Sequence, residues 1–287
     1  MRDGESMQVN WFPGHMTKAL RAMENDIKLV DAVCELVDAR IPVSSRNPVL
    51  EEVLQRRPRL ILLNRVDLAD PAATKRWSAH FRAQGMQVLE TDSKSGRGVE
   101  KFPAAVRVLL KEKLEQLAAK GQATRPLRVM VVGIPNVGKS TFINKAAKRK
   151  AAAASDRPGV TRGKQWVTVD KGLELLDTPG VLWPKFDDAA VGEHLAFTGA
   201  VKDAVVDTEG LAARLMELLN ERYRELLCSR YKLQDTEGLA GWQLLEAAAR
   251  KRGFLVSGGE VDTLRMAGIL LDEFRGGKLG RVTLEEP

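Results

Sequence analysis

Cysteine is scarce in this sequence, and long apolar runs are missing. Cys34 and Cys228 are the only cysteines among 287 residues, which excludes a disulfide framework or a zinc-binding spacing and fits a reducing compartment. No apolar run approaches the ~20 residues that cross a bilayer. The first residues lack the apolar core of a secretory signal, and Asp3 and Glu5 argue against a mitochondrial transit peptide. We therefore expect a cytoplasmic protein without membrane partners.

Negative charge is outnumbered by positive charge. The chain contains 45 Lys and Arg against 38 Asp and Glu, so its net charge is +7. Such an excess suits a nucleic-acid partner, but it also serves plain solubility, and composition does not separate the two. Because 44% of the residues are hydrophobic, we expect a buried core in one large or two ordinary domains.

The stretch LRVMVVGIPNVGKST (127–141) is the most informative one in the chain. Its apolar beginning predicts a buried parallel strand, and GIPNVGKS fits the phosphate-loop pattern G-x-x-x-x-G-K-[ST] ahead of a predicted helix. Gly133 and Gly138 allow backbone N–H groups to surround a phosphate. Lys139 suits the β- and γ-phosphates, and Ser140 suits a magnesium ion. The residues assigned to the phosphates are Asn136, Val137, Gly138, Lys139, Ser140 and Thr141.

Two motifs downstream extend this loop into a GTPase pattern. A short apolar strand ends in DTPG, where Asp177 lies on the magnesium side and Gly180 donates its N–H to a γ-phosphate, since no Cβ blocks the approach. The intervening PGVTR contains Thr161, a candidate to complete the magnesium shell. Phosphate loop, PGVTR and DTPG in this order, within about fifty residues, indicate a GTPase.

The guanine-reading motif N-K-x-D is missing after DTPG. It occurs upstream as NRVD (64–67), directly after an apolar strand. Asp67 accepts two hydrogen bonds from guanine, whereas adenine would leave this carboxylate unpaired. The residues assigned to the base are Asn64, Arg65, Asp67, Ser93 and Lys94, the last two in a second guanine loop. Because the base-reading half precedes the phosphate-reading half, we expect an α/β fold: a circularly permuted P-loop GTPase domain with a doubly wound, mostly parallel sheet.

A water-positioning glutamine is also missing. Ras-like GTPases place one directly after DTPG, but this chain has Val181 and Leu182, which cannot hydrogen-bond water. Another group must then orient the water, or hydrolysis is very slow. His15 stands at the break in NWFPGHM. On the residues alone, a helix-start histidine satisfied by backbone contacts is the stronger interpretation.

The whole pattern resembles the circularly permuted GTPases of ribosome assembly, the YlqF type or ribosome biogenesis GTPase A family. The resemblance covers nearly the whole chain and is carried by NWFPGHM (10–16), DARIP (38–42), the permuted nucleotide motifs and GRVTLE (280–285). It implies hydrolysis of GTP, slow alone and stimulated by ribosomal particles, in a late step of large-subunit assembly. The implied partners are the large ribosomal subunit precursor and its rRNA, with ribosomal proteins as further candidates.

For the site, the resemblance implies that His15 approaches the γ-phosphate and orients the attacking water. The catalytic candidates are then His15, Lys139 and Thr161. The candidates around Mg²⁺ are Ser140, Thr161 and Asp177. Asn136 either helps to hold K⁺ beside the phosphates, as in related GTPases, or satisfies its own loop backbone.

Two positions depart from the family pattern. Arg65 stands where Lys is usual, although a planar guanidinium still stacks on a guanine ring. Asp92-Ser93-Lys94 stands where a Ser-Ala-Lys type loop is usual. The contact to guanine O6 is therefore the weakest assignment. Arg40 of DARIP has three open roles: contact with phosphate, with RNA, or only with Asp38.

Beyond DTPG helical patterns dominate, so we divide the chain into a GTPase domain with the WFPGHM segment (1–185) and a small all-helical C-terminal domain (186–287). Continuous helices are expected over 98–119, 211–227 and 261–275. Basic residues of the helical domain either contact rRNA or form a solvated surface, and the first is favoured here. Because the chain passes from DTPG directly into this domain, hydrolysis is expected to reorient it and change RNA binding.

Two other functions compete with the GTPase. A non-catalytic, GTP-sensing RNA-binding scaffold is suggested by the missing glutamine. An ATP-using P-loop enzyme, such as a small-molecule kinase, is opposed by Asn64 and Asp67. Measurements of GTP turnover distinguish the scaffold from the GTPase. Competition between GTP and ATP distinguishes the ATP-using enzyme from the GTPase.

Overall fold

A computed structural model describes residues 14–122, 124–147, 166–183, 186, 188–203, 206–256 and 258–287, with backbone only for 14–17. These residues form two compact units. The sheet unit comprises the described residues from 14 to 183 together with Glu285–Pro287, and the helical unit runs from Phe186 to Leu284. The sequence boundaries placed Glu285–Pro287 with the helical domain, whereas these three residues pack in the sheet unit.

In the described ranges, the sheet unit is organised around one six-stranded sheet. Its strands are β1 (Ala32–Asp38), β2 (Arg59–Asn64), β3 (Gln87–Thr91), β4 (Leu127–Val132), β5 (Trp166–Asp170) and β6 (Leu173–Asp177). Their spatial order is β3-β2-β1-β4-β6-β5, and every neighbouring pair is parallel except β5 and β6. The central strands β1, β2 and β4 are apolar runs with almost every residue buried, as expected when helices cover both faces of a parallel sheet. The predicted mostly parallel, doubly wound sheet is confirmed.

Six helices surround this sheet in the described ranges. They are α1 (Gly14–Asp26), α2 (Pro48–Leu54), α3 (Pro71–Ala83), α4 (Phe102–Leu109), α5 (Lys111–Ala119) and α6 (Lys139–Ala146), with single 3₁₀ turns at Ile27–Leu29 and Val99–Lys101. Asn47 begins α2 by accepting a hydrogen bond from the Val49 N–H, with Pro48 in the first turn. The continuous helix predicted over 98–119 is wrong: Leu110, at φ −105° and ψ 23°, leaves the helical region and separates α4 from α5.

In the described part of the helical unit, five α-helices pack around an apolar core. They are α7 (Ala189–Phe197), α8 (Thr208–Arg222), α9 (Arg224–Tyr231), α10 (Gly241–Arg252) and α11 (Thr263–Arg275). The single helix predicted over 211–227 is broken at Tyr223, whose φ of −137° is extended. Helix α11 begins later than predicted because Val261 pairs with Leu255 in an antiparallel bridge. Among the described helices none is long and apolar enough to cross a membrane.

Candidate nucleotide-binding site

The phosphate loop connects the end of β4 to the start of α6. Three of its residues have positive φ: Gly133 (152°), Asn136 (59°) and Gly138 (105°). A Cβ on Gly133 would lie 2.8 Å from the Leu36 carbonyl oxygen, and one on Gly138 would lie 2.8 Å from Nδ2 of Asn64. Only glycine fits both positions, so the loop lies tightly against the ends of β1 and β2.

The Lys139 ammonium lies inside this loop. Nζ donates to the carbonyl oxygens of Gly133 (3.0 Å) and Ile134 (2.8 Å), and the residue is only 8% exposed. Burial lowers the pKa of Lys139 to about 8, an effect that the nearby charge of Asp177 partly opposes. A buried cation at the amino end of α6 lies where phosphate oxygens bind a loop of this kind.

Asp177, at the carboxyl end of β6, is a candidate magnesium ligand. Burial raises its pKa, against the lowering effect of Lys139, and its buried Oδ1 has no hydrogen-bond partner within the described part of the chain. A buried carboxylate oxygen without a partner suits a divalent cation. Ser140 supplies a second oxygen at the start of α6, so the oxygen donors present fit Mg²⁺.

Gly180 brings the DTPG segment against the phosphate loop. A Cβ there would lie 2.8 Å from the N and Cα atoms of Pro135 and 2.9 Å from Nζ of Lys139. The segment is also fixed to the sheet, because the Thr178 hydroxyl donates to the Val131 carbonyl over 2.6 Å. The Gly180 backbone therefore lies beside the ammonium group expected to contact the γ-phosphate.

Asn64 joins the three loops predicted to hold the nucleotide. Its Nδ2 donates to the Val137 carbonyl in the phosphate loop (2.9 Å). Its Oδ1 accepts from the Thr91 hydroxyl (3.1 Å), the Ser93 N–H (3.2 Å) and the Ser93 hydroxyl (2.7 Å). The side chain is 1% exposed. Segments that lie far apart in the sequence thus meet on one amide.

Arg65 bridges the base-reading motif and the phosphate loop. The residue has a φ of 60°, its Nη2 donates to the Asn136 carbonyl, and its Nε lies 3.8 Å from Oδ2 of Asp38. Asp38 also holds Arg40, which is buried and donates through Nε (3.0 Å) and Nη2 (2.8 Å). Of the roles left open for Arg40, the structure supports pairing with Asp38.

The second guanine loop is shaped by Asp92. Its Oδ1 accepts the backbone N–H groups of Lys94 (2.9 Å) and Ser95 (3.1 Å), which closes a tight turn. The Lys94 side chain is exposed, whereas Ser93 is buried against Asn64. Asp92, the departure from the usual Ser-Ala-Lys type loop, thus supports the turn.

Not every predicted residue is described at side-chain level. Thr161 lies outside the described residues, and so does the side chain of His15. Asp67 is half-buried on the loop after β2, and Thr141 is exposed on α6. The nucleotide and metal assignments of these four residues, like those of the other site residues, stay predictions.

The sequence analysis missed one contact at the site. Nδ2 of Asn47, the residue that begins α2, donates to the Val181 carbonyl directly after DTPG (3.1 Å). The partners are 134 residues apart, and no local pattern links them.

Fold and site together define a P-loop GTPase. A family model described as "50S ribosome-binding GTPase" matches residues 128–223. The chain is 46% identical to Ribosome biogenesis GTPase A of Bacillus cereus, over 98% of this chain and 95% of that protein.

Two solved structures titled YlqF are also similar to this chain. GNP-bound YlqF from Thermotoga maritima is 31% identical, with a TM-score of 0.64 over 94% of this chain and 98% of that one. GDP-bound TM YlqF gives a TM-score of 0.68 at 30% identity, over 93% of this chain and 99% of that one. The chain belongs to the ribosome biogenesis GTPase A (YlqF) family.

Proposed function

We propose that this protein hydrolyses GTP to drive a late step in assembly of the large ribosomal subunit and binds rRNA in a nucleotide-dependent way. The observation that carries the nucleotide part is the Asn64 junction, which connects the NRVD motif, the second guanine loop and the phosphate loop. The ribosomal part is supported by the names of the relatives and of the family model. The circular permutation is part of the proposal and is supported by the early strands β1–β3 lying beside β4.

In this proposal guanine is recognised by residues at the ends of β2 and β3. Asp67 accepts hydrogen bonds from the guanine edge, and the Arg65 guanidinium lies over the ring. Ser93 and Lys94 lie at the O6 side, where backbone N–H groups are the donors. ATP lacks the groups that pair with Asp67, so we expect GTP to be preferred strongly.

The phosphates are held by the loop amides, by Lys139 and by the Gly180 N–H. Ser140, Asp177 and Thr161 would hold Mg²⁺, which neutralises phosphate charge when bound. Asn136 is the candidate to hold K⁺ in the same region. His15 orients the attacking water in the proposed mechanism, since Val181 and Leu182 are fully buried and apolar.

Contact with rRNA is assigned to the helical unit. Basic residues at its helix ends and exposed faces suit phosphate contacts. Movement around Thr161 and Gly180 after hydrolysis of GTP would change how the chain enters this unit and so change RNA affinity. The expected partners are the precursor of the large subunit, its rRNA and ribosomal proteins of that particle. We expect these contacts to form in the cytoplasm.

The test is GTP turnover by the full chain with and without large ribosomal subunits, together with co-sedimentation of the protein in GDP and in a non-hydrolysable GTP analogue. We expect slow turnover alone, stimulation by subunits and co-sedimentation in only one nucleotide state. A second function, a non-catalytic GTP-sensing scaffold, is favoured by the apolar Val181 and Leu182. It predicts nucleotide-dependent co-sedimentation without stimulated turnover, and that outcome would overturn the enzymatic proposal.

A further inference from the structure

The loop between β1 and α2 holds the residue that follows DTPG. Asn47 ends this loop and is 4% exposed. Its Oδ1 accepts the Val49 N–H (3.0 Å), while its Nδ2 donates to the Val181 carbonyl (3.1 Å). The helix cap thus fixes which end of the amide faces Val181, and the donor is aimed at a fully buried segment.

The same loop is fastened at two further points. The Ser45 hydroxyl accepts the Asp38 N–H (2.9 Å) at the end of β1. The Glu285 carboxylate accepts the N–H groups of Val43 and Ser44 and the Ser44 hydroxyl. A carboxylate with three donors belongs to the stronger class of hydrogen-bonded groups. Glu285 therefore acts as a clamp on the middle of the loop.

Glu285 is itself held by the sheet unit. The indole Nε1 of buried Trp77 donates to the Glu285 backbone carbonyl (3.0 Å). The next residue, Glu286, pairs with Arg76 through both carboxylate oxygens (2.9 and 2.8 Å), but both side chains are about half exposed. Exposed pairs contribute little, so the clamp depends on Glu285 and not on Glu286.

We propose that Asn47 is a positioning residue for GTP hydrolysis: by holding the Val181 carbonyl, it fixes the Gly180 N–H at the γ-phosphate, and Glu285 keeps the loop that carries Asn47 in place. The inference rests on the proposed function, because it takes Gly180 as a γ-phosphate ligand. The space beside Gly180 is already filled, since a Cβ there would lie 2.8 Å from Pro135 and 2.9 Å from the Lys139 ammonium nitrogen. A shift of the adjoining peptide would therefore move the Gly180 N–H relative to the phosphates.

The proposal makes the effect specific to one nucleotide. GTP and GDP differ by the γ-phosphate, so only GTP gains from a fixed Gly180 N–H. A ligand changes an equilibrium only through interactions that differ between the two states. Loss of the Asn47 donor should therefore weaken binding of a GTP analogue and leave GDP binding nearly unchanged.

The test compares affinities of the full chain for a non-hydrolysable GTP analogue and for GDP. Asn47→Ser retains a capping oxygen for α2 but loses the amide donor, whereas Asn47→Ala loses both. We expect Asn47→Ser to bind the analogue about three- to tenfold more weakly, as for one lost hydrogen bond, with GDP affinity within about twofold of wild type. Glu285→Gln should likewise weaken binding of the analogue more than binding of GDP. Glu286→Gln is the matched control and should leave both affinities unchanged.

Each result has a separate meaning. If Asn47→Ser weakens both nucleotides equally or weakens neither, Asn47 has only a structural role and the proposal fails. If Asn47→Ser weakens only the analogue but Glu285→Gln does not, the clamp is refuted.

Gly180→Ala tests the underlying function. Unchanged affinity for the analogue would show that Gly180 does not contact the γ-phosphate, and the failure would then lie in the proposed function. Kinetics add a further readout, since loss of the Asn47 contact should lower kcat more than it raises KM.

Discussion

Replacement of Asn64 by alanine should weaken GTP and GDP to the same extent. The Asn64 amide connects the end of β2 with the Val137 carbonyl and with Thr91 and Ser93. None of these contacts involves the γ-phosphate directly. The expected pattern is therefore opposite to that of Asn47→Ser, which should affect only the GTP analogue.

The magnitude follows from the partners that alanine leaves behind. The Thr91 and Ser93 hydroxyls can rotate to other acceptors, but the Val137 carbonyl and the Ser93 N–H are backbone groups that cannot. Each buried group left unpaired costs about 1–3 kcal/mol, and water that enters the cavity reduces the sum. We expect a loss of about 2–3 kcal/mol, or about 30- to 150-fold in affinity for either nucleotide.

Isothermal titration with GDP and with a non-hydrolysable GTP analogue measures this loss, and a thermal melt reports the folded state. Ser93→Ala is the graded control, because Asn64 then keeps its Val137 contact and two of its three donors to Oδ1. It should cost about 1 kcal/mol, or about fivefold. GDP affinity of Asn64→Ala within about threefold of wild type would refute the reasoning, and so would a larger loss in Ser93→Ala.

Three further predictions concern other residues. Gly241→Ala should lower the free energy of unfolding of the helical unit by about 1–3 kcal/mol in a denaturant titration, because its Cβ would lie 2.0 Å from the Ala213 carbonyl oxygen. Burial of Glu273 opposes its ionisation, but hydrogen bonds from Arg230 and other donors lower its pKa to about 2. The stability it contributes is present above its ordinary pKa and is lost as pH falls through about 2, so thermal melts of Glu273→Gln should lack that acid-dependent part. For Lys139, whose pKa burial lowers to about 8, GDP affinity measured in a pH series should fall as pH rises above about 8, because the neutral amine no longer attracts phosphate.

The strands around the site could be predicted because each is a short apolar run that ends in a motif. β4 spans Leu127–Val132 as expected, and β2 ends at Asn64, the first residue of NRVD. Parallel strands bring their carboxyl ends to one edge of a sheet, so motifs at those ends meet whatever their order in the chain. The mostly parallel sheet could therefore be predicted from motifs at the strand ends.

The helix breaks could not be predicted in the same way. The apolar period continues across Leu110 and across Tyr223, although the backbone leaves the helical region at both. At Tyr223 the reason is tertiary: its hydroxyl donates to the Thr283 carbonyl and accepts the Thr283 N–H. A contact between residues 60 positions apart leaves no trace in local periodicity.

The DTPG segment is held at three points, and they differ in how freely they can respond to loss of a phosphate. The Thr178 hydroxyl is bonded to Val131 in the centre of the sheet, where close packing resists any shift. Gly180 lies against the phosphate loop, so its surroundings are the binding site itself. The Val181 carbonyl is bonded to Asn47, the end of a surface connection between β1 and α2.

Of these three anchors, only the third lies outside both the sheet core and the phosphate loop, so a change of nucleotide should appear first at Asn47. Hydrogen exchange of the 41–47 segment, compared between GDP and a GTP analogue, should therefore differ more than exchange in β4, and equal exchange of that segment in both nucleotides would contradict this order of events.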